Sequence, residues 1–253
     1  MSVAGRVAIV TGGTRGLGAA VSARLVRGGA RVTAVYAADD RAAHAFAERA
    51  GAEAAGSGGT VEVVKADVGD PGAAQRLVDN VIGAHGRVDH LVNNAGRLIE
   101  NSARRMTLEE WDEAIRVNLS AAFYLCRAVL EPMVANGFGR VVNVSSVTAV
   151  MGSPVEAGYG AAKAGLLGLS RSLAREVARK GVTVNVVVPG VFETEMTWSM
   201  PAATQEAVRG LIPMGRRGDP DELAHAVAFL LDDDAAYVTG SVVTVDGGLS
   251  MGG

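Results

Sequence analysis

The sequence is poor in cysteine and in aromatic residues, and it has no excess of positive charge. Cys126 is the only cysteine among 253 residues, so an internal disulfide is excluded and a reducing compartment is favoured. Aromatic residues make up 4% of the chain and the net charge is −3, without a basic stripe, which disfavours binding to nucleic acid. The four histidines are scattered without the spacing of metal ligands, so we expect no metal site.

Long hydrophobic runs and targeting patterns are also missing. No uncharged run approaches the roughly 20 residues that a membrane-spanning helix needs. Residues 1–13 are apolar but are broken by glycines, and they lack the layout of a secretory signal peptide. We therefore expect a cytoplasmic protein without a membrane partner.

Short apolar runs alternate with helical patterns along the whole chain. Hydrophobic residues make up 49% of it, enough for a sizeable core. Strands are predicted at residues 7–10, 32–36, 61–66, 88–92, 141–144, 182–188 and 242–245. Helices are predicted from residue 16 onward and at 41–50, 73–84, 108–133, 157–179 and 220–231. This alternation predicts an α/β fold in one domain, 1–253, with a doubly wound parallel sheet of about seven strands and helices on both faces.

The predicted helix over residues 108–133 is the longest in the chain. Thr107 and Glu110 form a capping-box pattern that predicts its start. Pro132 marks its end region, since proline disrupts a helix interior.

Residues 192–211 are less regular and contain Pro201. Loops in such positions often close over a substrate, so this segment is a candidate lid. Met196, Trp198 and Met200 would form either an apolar cover over the substrate or an oligomer contact.

The candidate chemistry lies in Tyr159, Lys163 and Ser146. Tyr159 and Lys163 are four residues apart on a predicted helix, so their side chains share one face. A neighbouring ammonium lowers the pKa of a phenol below its usual value of about 10, which makes Tyr159 a candidate acid or base. Ser146 follows a predicted buried strand and can converge with them on one carbonyl oxygen. Taken alone, the pair also fits an exposed tyrosine and a lysine that extends to solvent.

A glycine-rich turn, Thr11 to Gly18, follows the first predicted strand and opens the first helix. Glycines let the backbone turn tightly and approach a pyrophosphate, which binds at the free N–H groups of a helix N-terminus. The spacing is G-x3-G-x-G. In this strand-turn-helix context it favours a dinucleotide site over an ordinary turn.

Residues near the second strand bear on the choice of cofactor. Tyr36 stands where NAD-binding proteins usually place a carboxylate for the ribose 2′-hydroxyl. Arg15 could donate two hydrogen bonds to a 2′-phosphate. Asp39 and Asp40 would repel that phosphate unless their side chains point away. We expect NADP(H), with NAD(H) as the alternative.

Together with Asn93-Asn94-Ala95-Gly96, Asn118 and Pro189-Gly190, these motifs resemble the short-chain dehydrogenase/reductase family over residues 5–248. Residues 159–166 and 183–190 are most similar to 3-oxoacyl-[acyl-carrier-protein] reductases and related polyketide ketoreductases. The resemblance implies a Rossmann-type domain and NADPH-dependent reduction of a ketone, with a 3-oxoacyl thioester or polyketide intermediate as the expected substrate. The alternatives are an NAD(P)-dependent alcohol, sugar or steroid dehydrogenase, and a non-catalytic redox sensor.

The resemblance also implies a role for each catalytic position. Tyr159 would be the general acid, and Lys163 would lower the pKa of Tyr159 and hold the ribose hydroxyls. Ser146 would hydrogen-bond the carbonyl oxygen, whereas Ser145 does not match the family's serine. Asn118 would hold a water that links Lys163 to solvent.

The same resemblance implies which residues contact the cofactor. Those at its phosphates are Gly12, Thr14, Arg15, Gly16, Leu17 and Gly18. Those near the adenosine are Tyr36, Asp67 and Val68, and those beside the nicotinamide ribose are Asn93, Ala95, Gly96, Tyr159 and Lys163. Those at the nicotinamide carboxamide are Pro189, Gly190, Val191 and Thr194.

The resemblance predicts only part of a binding site for a partner protein. Carrier-protein reductases of the family often present two basic residues at the mouth of the site, and here those positions are Gly137 and Lys180. Arg104, Arg105 and Arg140 could compensate, so an acyl carrier protein is a candidate partner. The family's common homotetramer predicts that the two longest helices pack against their copies in other subunits.

Overall fold

The computed structural model describes residues 3–198 and 201–251. Within these ranges, seven parallel strands form a single sheet in the order β3-β2-β1-β4-β5-β6-β7, which confirms the predicted α/β class. The strands are β1 (Val7–Thr11), β2 (Arg31–Tyr36), β3 (Thr60–Lys65), β4 (His90–Asn93), β5 (Gly139–Val144), β6 (Val182–Pro189) and β7 (Val242–Val245).

Helices cover both faces of the sheet. They are α1 (Gly16–Arg27), α2 (Asp40–Glu53), α3 (Pro71–His85), α4 (Leu108–Ile115), α5 (Ala121–Ala135), α6 (Thr148–Met151), α7 (Ala157–Val177), α8 (Glu195–Trp198), α9 (Ala202–Leu211) and α10 (Pro220–Leu231). None of the helices within residues 3–198 and 201–251 combines the length and the apolar character of a membrane span.

Alternation of side chains along β1 builds two cores. Ala8 and Val10 face the core formed with α1, α2 and α10. Val7 and Ile9 point the opposite way, into the core formed with α3, α5 and α7. Successive residues of a strand point to opposite faces, so a strand covered on both sides is a continuous apolar run. That is why β1, β5 and β6 are recognisable from sequence and are buried throughout.

The chain leaves β1 toward β2 and β3, and then returns to place β4 on the other side of β1. This reversal creates a crevice at the carboxyl ends of β1 and β4, where α/β proteins bind ligands. The glycine turn follows β1, and the Asn-Asn-Ala-Gly motif follows β4. Both motifs therefore reach the same edge of the sheet.

The prediction of one uninterrupted helix over residues 108–133 is wrong. The capping box at Thr107 is present, but α4 ends at Ile115, and Arg116–Ser120 form a π-helical turn before α5 begins. A π turn inserts an extra residue into the helical repeat and is frequent at functional sites. Asn118 lies in this turn and is buried.

Pro132 lies in the last turn of α5, which ends at Ala135, so the predicted end region is confirmed. Proline removes one backbone donor from the helix, and buried neighbours on either side, Val129 and Met133, hold the last turn against the core. Other boundaries shift by a few residues: β4 begins at His90 rather than at residue 88, and the candidate lid contains two short helices around Pro201.

Candidate active site

Thr11 joins the two motifs at the crevice. Its hydroxyl oxygen accepts hydrogen bonds from the backbone N–H groups of Asn94 and Ala95, each at 3.0 Å. The Asn94 amide in turn donates to the carbonyl oxygens of Thr11 and Gly12, at 3.0 and 3.2 Å. The turn after β1 and the loop after β4 are thus held together by polar contacts at the edge of the sheet.

The glycine turn has the backbone that a pyrophosphate site needs. Gly12 and Gly16 have φ angles of +60° and +52°, which favour glycine. A methyl group at Gly18 would overlap the carbonyl oxygen of Gly12. These positions require glycine for the turn and for close packing of α1 on β1.

The N-terminus of α1 is open to an anion. Its N-cap is Arg15, whose side chain makes no capping hydrogen bond, and its first turn contains no acidic residue. By contrast, Asp39 caps α2 and Asp70 caps α3. Free N–H groups and the positive end of a helix dipole attract phosphate. The residues present therefore fit a dinucleotide, as the sequence predicts.

Acidic residues near the predicted adenosine site are turned toward other partners. Asp39 caps α2 by accepting from Ala42 N at 2.9 Å and lies 3.8 Å from the Arg15 guanidinium. Asp40 accepts from the Tyr36 hydroxyl at 2.9 Å and pairs with Lys65 at 3.1 Å. Hydrogen bonds from Lys65 and then from Tyr36 lower the pKa of Asp40.

Three other predicted cofactor residues make contacts within the protein. Asp67 accepts from the Arg116 guanidinium at 3.0 Å, and Val68 is buried in the core. The Asn93 amide donates to the side-chain oxygen of Asn143 at 2.8 Å. Because the Asn93 side chain points into the protein, only its backbone atoms could contact the ribose.

Gly96, Asn118 and Lys163 meet at the inner end of the crevice. A Cβ atom at Gly96 would lie 2.8 Å from Asn118 Oδ1 and 3.3 Å from Lys163 Nζ. The Asn118 oxygen accepts from Arg97 N at 3.0 Å, and its amide donates to the carbonyl oxygens of Arg97 and Ala114. A small cavity is lined by Asn118 and Lys163 together.

The ammonium of Lys163 is almost fully buried and donates to the backbone oxygen of Val144 at 2.9 Å. Burial lowers its pKa to about 8. It lies 5.8 Å from the centre of the Tyr159 ring. The structure therefore brings Tyr159 and Lys163 together on one face of α7, as their spacing predicts.

The expected lowering of the pKa of Tyr159 is wrong for this structure. Burial raises the pKa of the phenol, a hydrogen bond with Ser146 acts in the opposite direction, and the charge of Glu156 raises it further. Desolvation disfavours the phenolate more than its neighbours favour it. Tyr159 is therefore a protonated phenol at neutral pH, which suits a proton donor.

Ser146 and Ser145 have different surroundings. The Ser145 hydroxyl is buried and donates to the carbonyl oxygen of Lys163 at 2.8 Å, so it ties α7 to the end of β5. The Ser146 hydroxyl lies beside the Tyr159 phenol and accepts from Thr148 N at 3.2 Å. This arrangement agrees with the assignment of Ser146, not Ser145, to the reacting oxygen.

The predicted nicotinamide residues lie at the end of β6 and in the segment directly after it. Gly190 packs so closely on Asp246 that a Cβ atom would lie 2.6 Å from the Asp246 Cβ. Thr194 lies next to the glycine turn, because a Cβ atom at Gly16 would be 3.7 Å from its methyl group. Thr194 thus borders the same crevice as the glycine turn, whereas the contacts of Pro189 and Val191 with the nicotinamide stay predictions.

The candidate lid is anchored at its start by Thr197. The hydroxyl of Thr197 donates to the carbonyl oxygen of Phe192 at 2.7 Å and accepts from Thr194 N at 3.0 Å. The indole N–H of Trp198 donates to Glu193 at 2.7 Å, and 59% of Trp198 is exposed. Met200, which the sequence assigns to the same lid, lies outside the described residues.

Two features of the site carry no clear sequence signal. Val155 has a φ of +62°, a strained value for a β-branched residue, and lies just before α7. Glu156 accepts a hydrogen bond from Thr148, which neighbours Ser146 along the chain. In the sequence, Val155 and Glu156 are distinguished only by their position a few residues before Tyr159.

Arg140 was one of the arginines expected to replace the basic residue missing at Gly137, but its side chain is not accessible to a carrier protein. It is 4% exposed, and its guanidinium donates to the carbonyl oxygens of Gly139 and Gly181. Arg104 and Arg105 are exposed in the turn before α4. Within the described residues, no three His, Cys, Asp or Glu side chains cluster in a way that could hold a metal.

Comparison with known proteins gives a consistent result. A family profile described as enoyl-(acyl carrier protein) reductase matches residues 12–250. The 3-oxoacyl-[acyl-carrier-protein] reductase FabG of Escherichia coli (strain K12) is 41% identical over 251 residues, covering 99% of this chain and 100% of that protein. The acetoacetyl-CoA reductase of Rhizobium meliloti (strain 1021) is 41% identical over 244 residues, covering 96% of this chain and 98% of that protein.

Proposed function

Because the chain belongs to the short-chain dehydrogenase/reductase family, we propose that it reduces the ketone of a 3-oxoacyl thioester to a secondary alcohol with NADPH. The observation that carries this proposal is the convergence of Ser146, Tyr159 and Lys163 at the end of β5, beside the open N-terminus of α1. The relatives support the substrate class, since a 3-oxoacyl-[acyl-carrier-protein] and acetoacetyl-CoA are both 3-oxoacyl thioesters.

In this reaction the protein stabilises charge and supplies a proton. When bound, a nicotinamide cofactor supplies the hydride that adds to the carbonyl carbon. Ser146 and Tyr159 donate hydrogen bonds to the carbonyl oxygen, where negative charge develops. The O–H bond of Tyr159 then breaks, and its proton passes to that oxygen to give the alcohol. The raised pKa of Tyr159 supports this role, because it keeps the proton on the phenol until charge builds up on the substrate.

Lys163 and Asn118 take part in returning a proton to Tyr159 after the reaction. With its pKa lowered to about 8, the Lys163 ammonium can give up a proton far more readily than an exposed lysine. The small cavity shared with Asn118 offers a place for a water that returns the proton from solvent. The π turn supports this function, because it directs the Asn118 side chain inward.

NADPH is the preferred cofactor in this proposal. Tyr36 provides no carboxylate for a ribose 2′-hydroxyl, and Asp40 is neutralised by Lys65. Arg15 is 60% exposed at its side chain and stands at the N-terminus of α1, so it is available to a 2′-phosphate. Its separation of 3.8 Å from Asp39 is long for an ion pair, and a phosphate would compete well for the guanidinium.

A substrate and cofactor panel tests the proposal. Purified protein should oxidise NADPH with acetoacetyl-CoA and with an acetoacetyl-acyl carrier protein, and should oxidise NADH more slowly. A secondary alcohol, a sugar and a steroid, each with NADP⁺ or NAD⁺, form the comparison arm. Turnover in the comparison arm without turnover of either thioester would assign the protein to another activity within its family. Equal rates with NADH and NADPH would contradict the cofactor assignment.

A further inference from the structure

Glu156 is the N-cap residue of α7, one helical turn before Tyr159, and is half-buried. Its side chain does not cap the helix. Instead, its Oε2 atom accepts a hydrogen bond from the hydroxyl of Thr148 at 3.0 Å. The hydrogen bond to Thr148 therefore holds the Glu156 carboxylate close to the proposed general acid.

Thr148 connects Glu156 to Ser146. Its backbone N–H donates to the Ser146 hydroxyl oxygen at 3.2 Å, while its own hydroxyl is held by Glu156. A serine oxygen that accepts one hydrogen bond keeps its O–H free to donate elsewhere. That O–H can therefore serve the hydrogen bond with the Tyr159 phenol. Glu156 and Thr148 thus form a chain of contacts that ends at Ser146.

The residue before Glu156 has a strained backbone. Val155 adopts a φ of +62°, and 43% of the residue is exposed. The conformation is held from outside, because Asn101 N donates to the carbonyl oxygen of Val155 at 2.8 Å. The Asn101 amide donates to Glu110, which forms the capping box of α4 with Thr107, at 3.0 Å. Strain kept by surrounding contacts is characteristic of functional sites.

The charged groups around Tyr159 belong to α7 with its N-cap and to α4, which packs against α7. Glu156 and Lys163 belong to α7 itself, and Lys163 is 5.8 Å from the ring. From α4 come Glu110, bonded to Asn101, and Glu113, bonded to Arg116. The short helix α6 contributes Thr148 and has no charged side chain. Of the carboxylates, Glu156 is the one that acts on the ionisation of Tyr159.

We propose that Glu156 is a positioning residue, which orients Ser146 through Thr148 and places a negative charge one helical turn before Tyr159. The role in turnover rests on the proposed ketone reduction. The effect on Tyr159 ionisation does not, because it depends only on charge and distance.

Two substitutions of Glu156 separate charge from hydrogen bonding. Glu156→Gln keeps an oxygen that accepts from Thr148 but removes the charge, whereas Glu156→Ala removes both. Thr148→Val removes the connecting hydroxyl alone. We expect Glu156→Ala and Thr148→Val to lower kcat by about tenfold, the value of one orienting hydrogen bond, and Glu156→Gln to recover most of that loss. Glu176→Gln is the matched control, because Glu176 is exposed on the same helix.

The test is a titration of Tyr159 by the ultraviolet absorbance of phenolate, with Tyr159→Phe subtracted, in wild type, Glu156→Gln and Glu176→Gln. Glu156→Gln should ionise Tyr159 at lower pH than wild type, and Glu176→Gln should match wild type. The alkaline limb of kcat/KM for NADPH and acetoacetyl-CoA should move in the same direction. Identical titrations in all three proteins would overturn the inference. A shifted titration in a protein that turns over no 3-oxoacyl thioester would keep the inference and refute the proposed function.

Discussion

The side-chain ammonium of Lys163 donates a hydrogen bond to the backbone carbonyl oxygen of Val144, with 2.9 Å between the two atoms. This contact joins the helix that carries Tyr159 to the end of the strand that precedes Ser146. The ammonium is nearly fully buried, and its pKa is lowered to about 8 by the loss of hydration. Burial of this charge disfavours the folded state, so its presence indicates a functional role.

Lys163→Met should separate function from stability. We expect kcat to fall by a factor of about 10² to 10⁴, as for the loss of a group that assists proton transfer. The thermal midpoint at neutral pH should not fall, because a buried charge is replaced by an apolar chain of similar length. Lys180→Met, at an exposed lysine, is the control for both measurements. A large drop in the thermal midpoint of Lys163→Met would mean that the ammonium stabilises the fold.

Gly96→Ala should displace Asn118 and Lys163, which lie against Gly96. The added methyl would lie 2.8 Å from Asn118 Oδ1 and 3.3 Å from Lys163 Nζ. We expect a loss of kcat and a reduction of about 1–3 kcal/mol in the free energy of unfolding, the usual cost of overpacking. Gly83→Ala is the matched control: its methyl would meet no atom within 4 Å, so it should raise helix stability by about 0.5–1 kcal/mol. Wild-type kinetics in Gly96→Ala would show that Asn118 and Lys163 can move without consequence.

Arg15→Leu should change the choice of cofactor. If Arg15 binds the 2′-phosphate, KM for NADPH should rise by about tenfold, the value of a charge-assisted hydrogen bond, while KM for NADH changes little. Arg49→Leu, at an exposed arginine of α2, controls for the loss of one positive charge. A parallel rise in KM for both cofactors would place Arg15 at the pyrophosphate instead.

The regular elements were predictable where local signals agree with burial. Asp219 and Pro220 mark the start of α10, and the apolar run at residues 242–245 gives β7, so both elements match their predicted bounds. Residues 108–133, by contrast, keep a helical pattern throughout. A π turn adds one residue to that pattern without a distinct composition, so the interruption at Asn118 could not be predicted.

The proximity of Tyr159 and Lys163 was predictable from the sequence, but the electrostatics around them were not. The spacing of Tyr159 and Lys163 indicates a shared face, and the structure brings them together. The direction of the pKa shift of Tyr159 depends on how deeply α7 is buried and on the charge of Glu156, and neither follows from spacing. Val155 gave no signal either, since a β-branched residue is not expected at a positive φ.

His90 should make the protein sensitive to acid. It is fully buried in β4, and within the described residues neither ring nitrogen has a hydrogen-bond partner. Burial lowers its pKa from 6.5 to about 4, so the unfolded state binds a proton first as the pH falls. The stability present above pH 6.5 should be lost between about pH 6.5 and 4, by up to about 3 kcal/mol.

Urea unfolding across this range tests the role of His90. His90→Leu fills a similar space without an ionisable group and should flatten the dependence of the unfolding free energy on pH. An unchanged slope in His90→Leu would assign the acid sensitivity to other groups.

Comparison of Tyr159→Phe with wild type is the most direct test of the account. The substitution removes only the phenolic oxygen, so the fold should persist, as checked by the thermal midpoint. Tyr237→Phe, at a fully exposed tyrosine, is the control. With NADPH and acetoacetyl-CoA, wild type and Tyr237→Phe should form the 3-hydroxyacyl product at equal rates, and Tyr159→Phe should be slower by a factor of about 10² to 10⁴. Product formation at the wild-type rate in folded Tyr159→Phe would contradict the account.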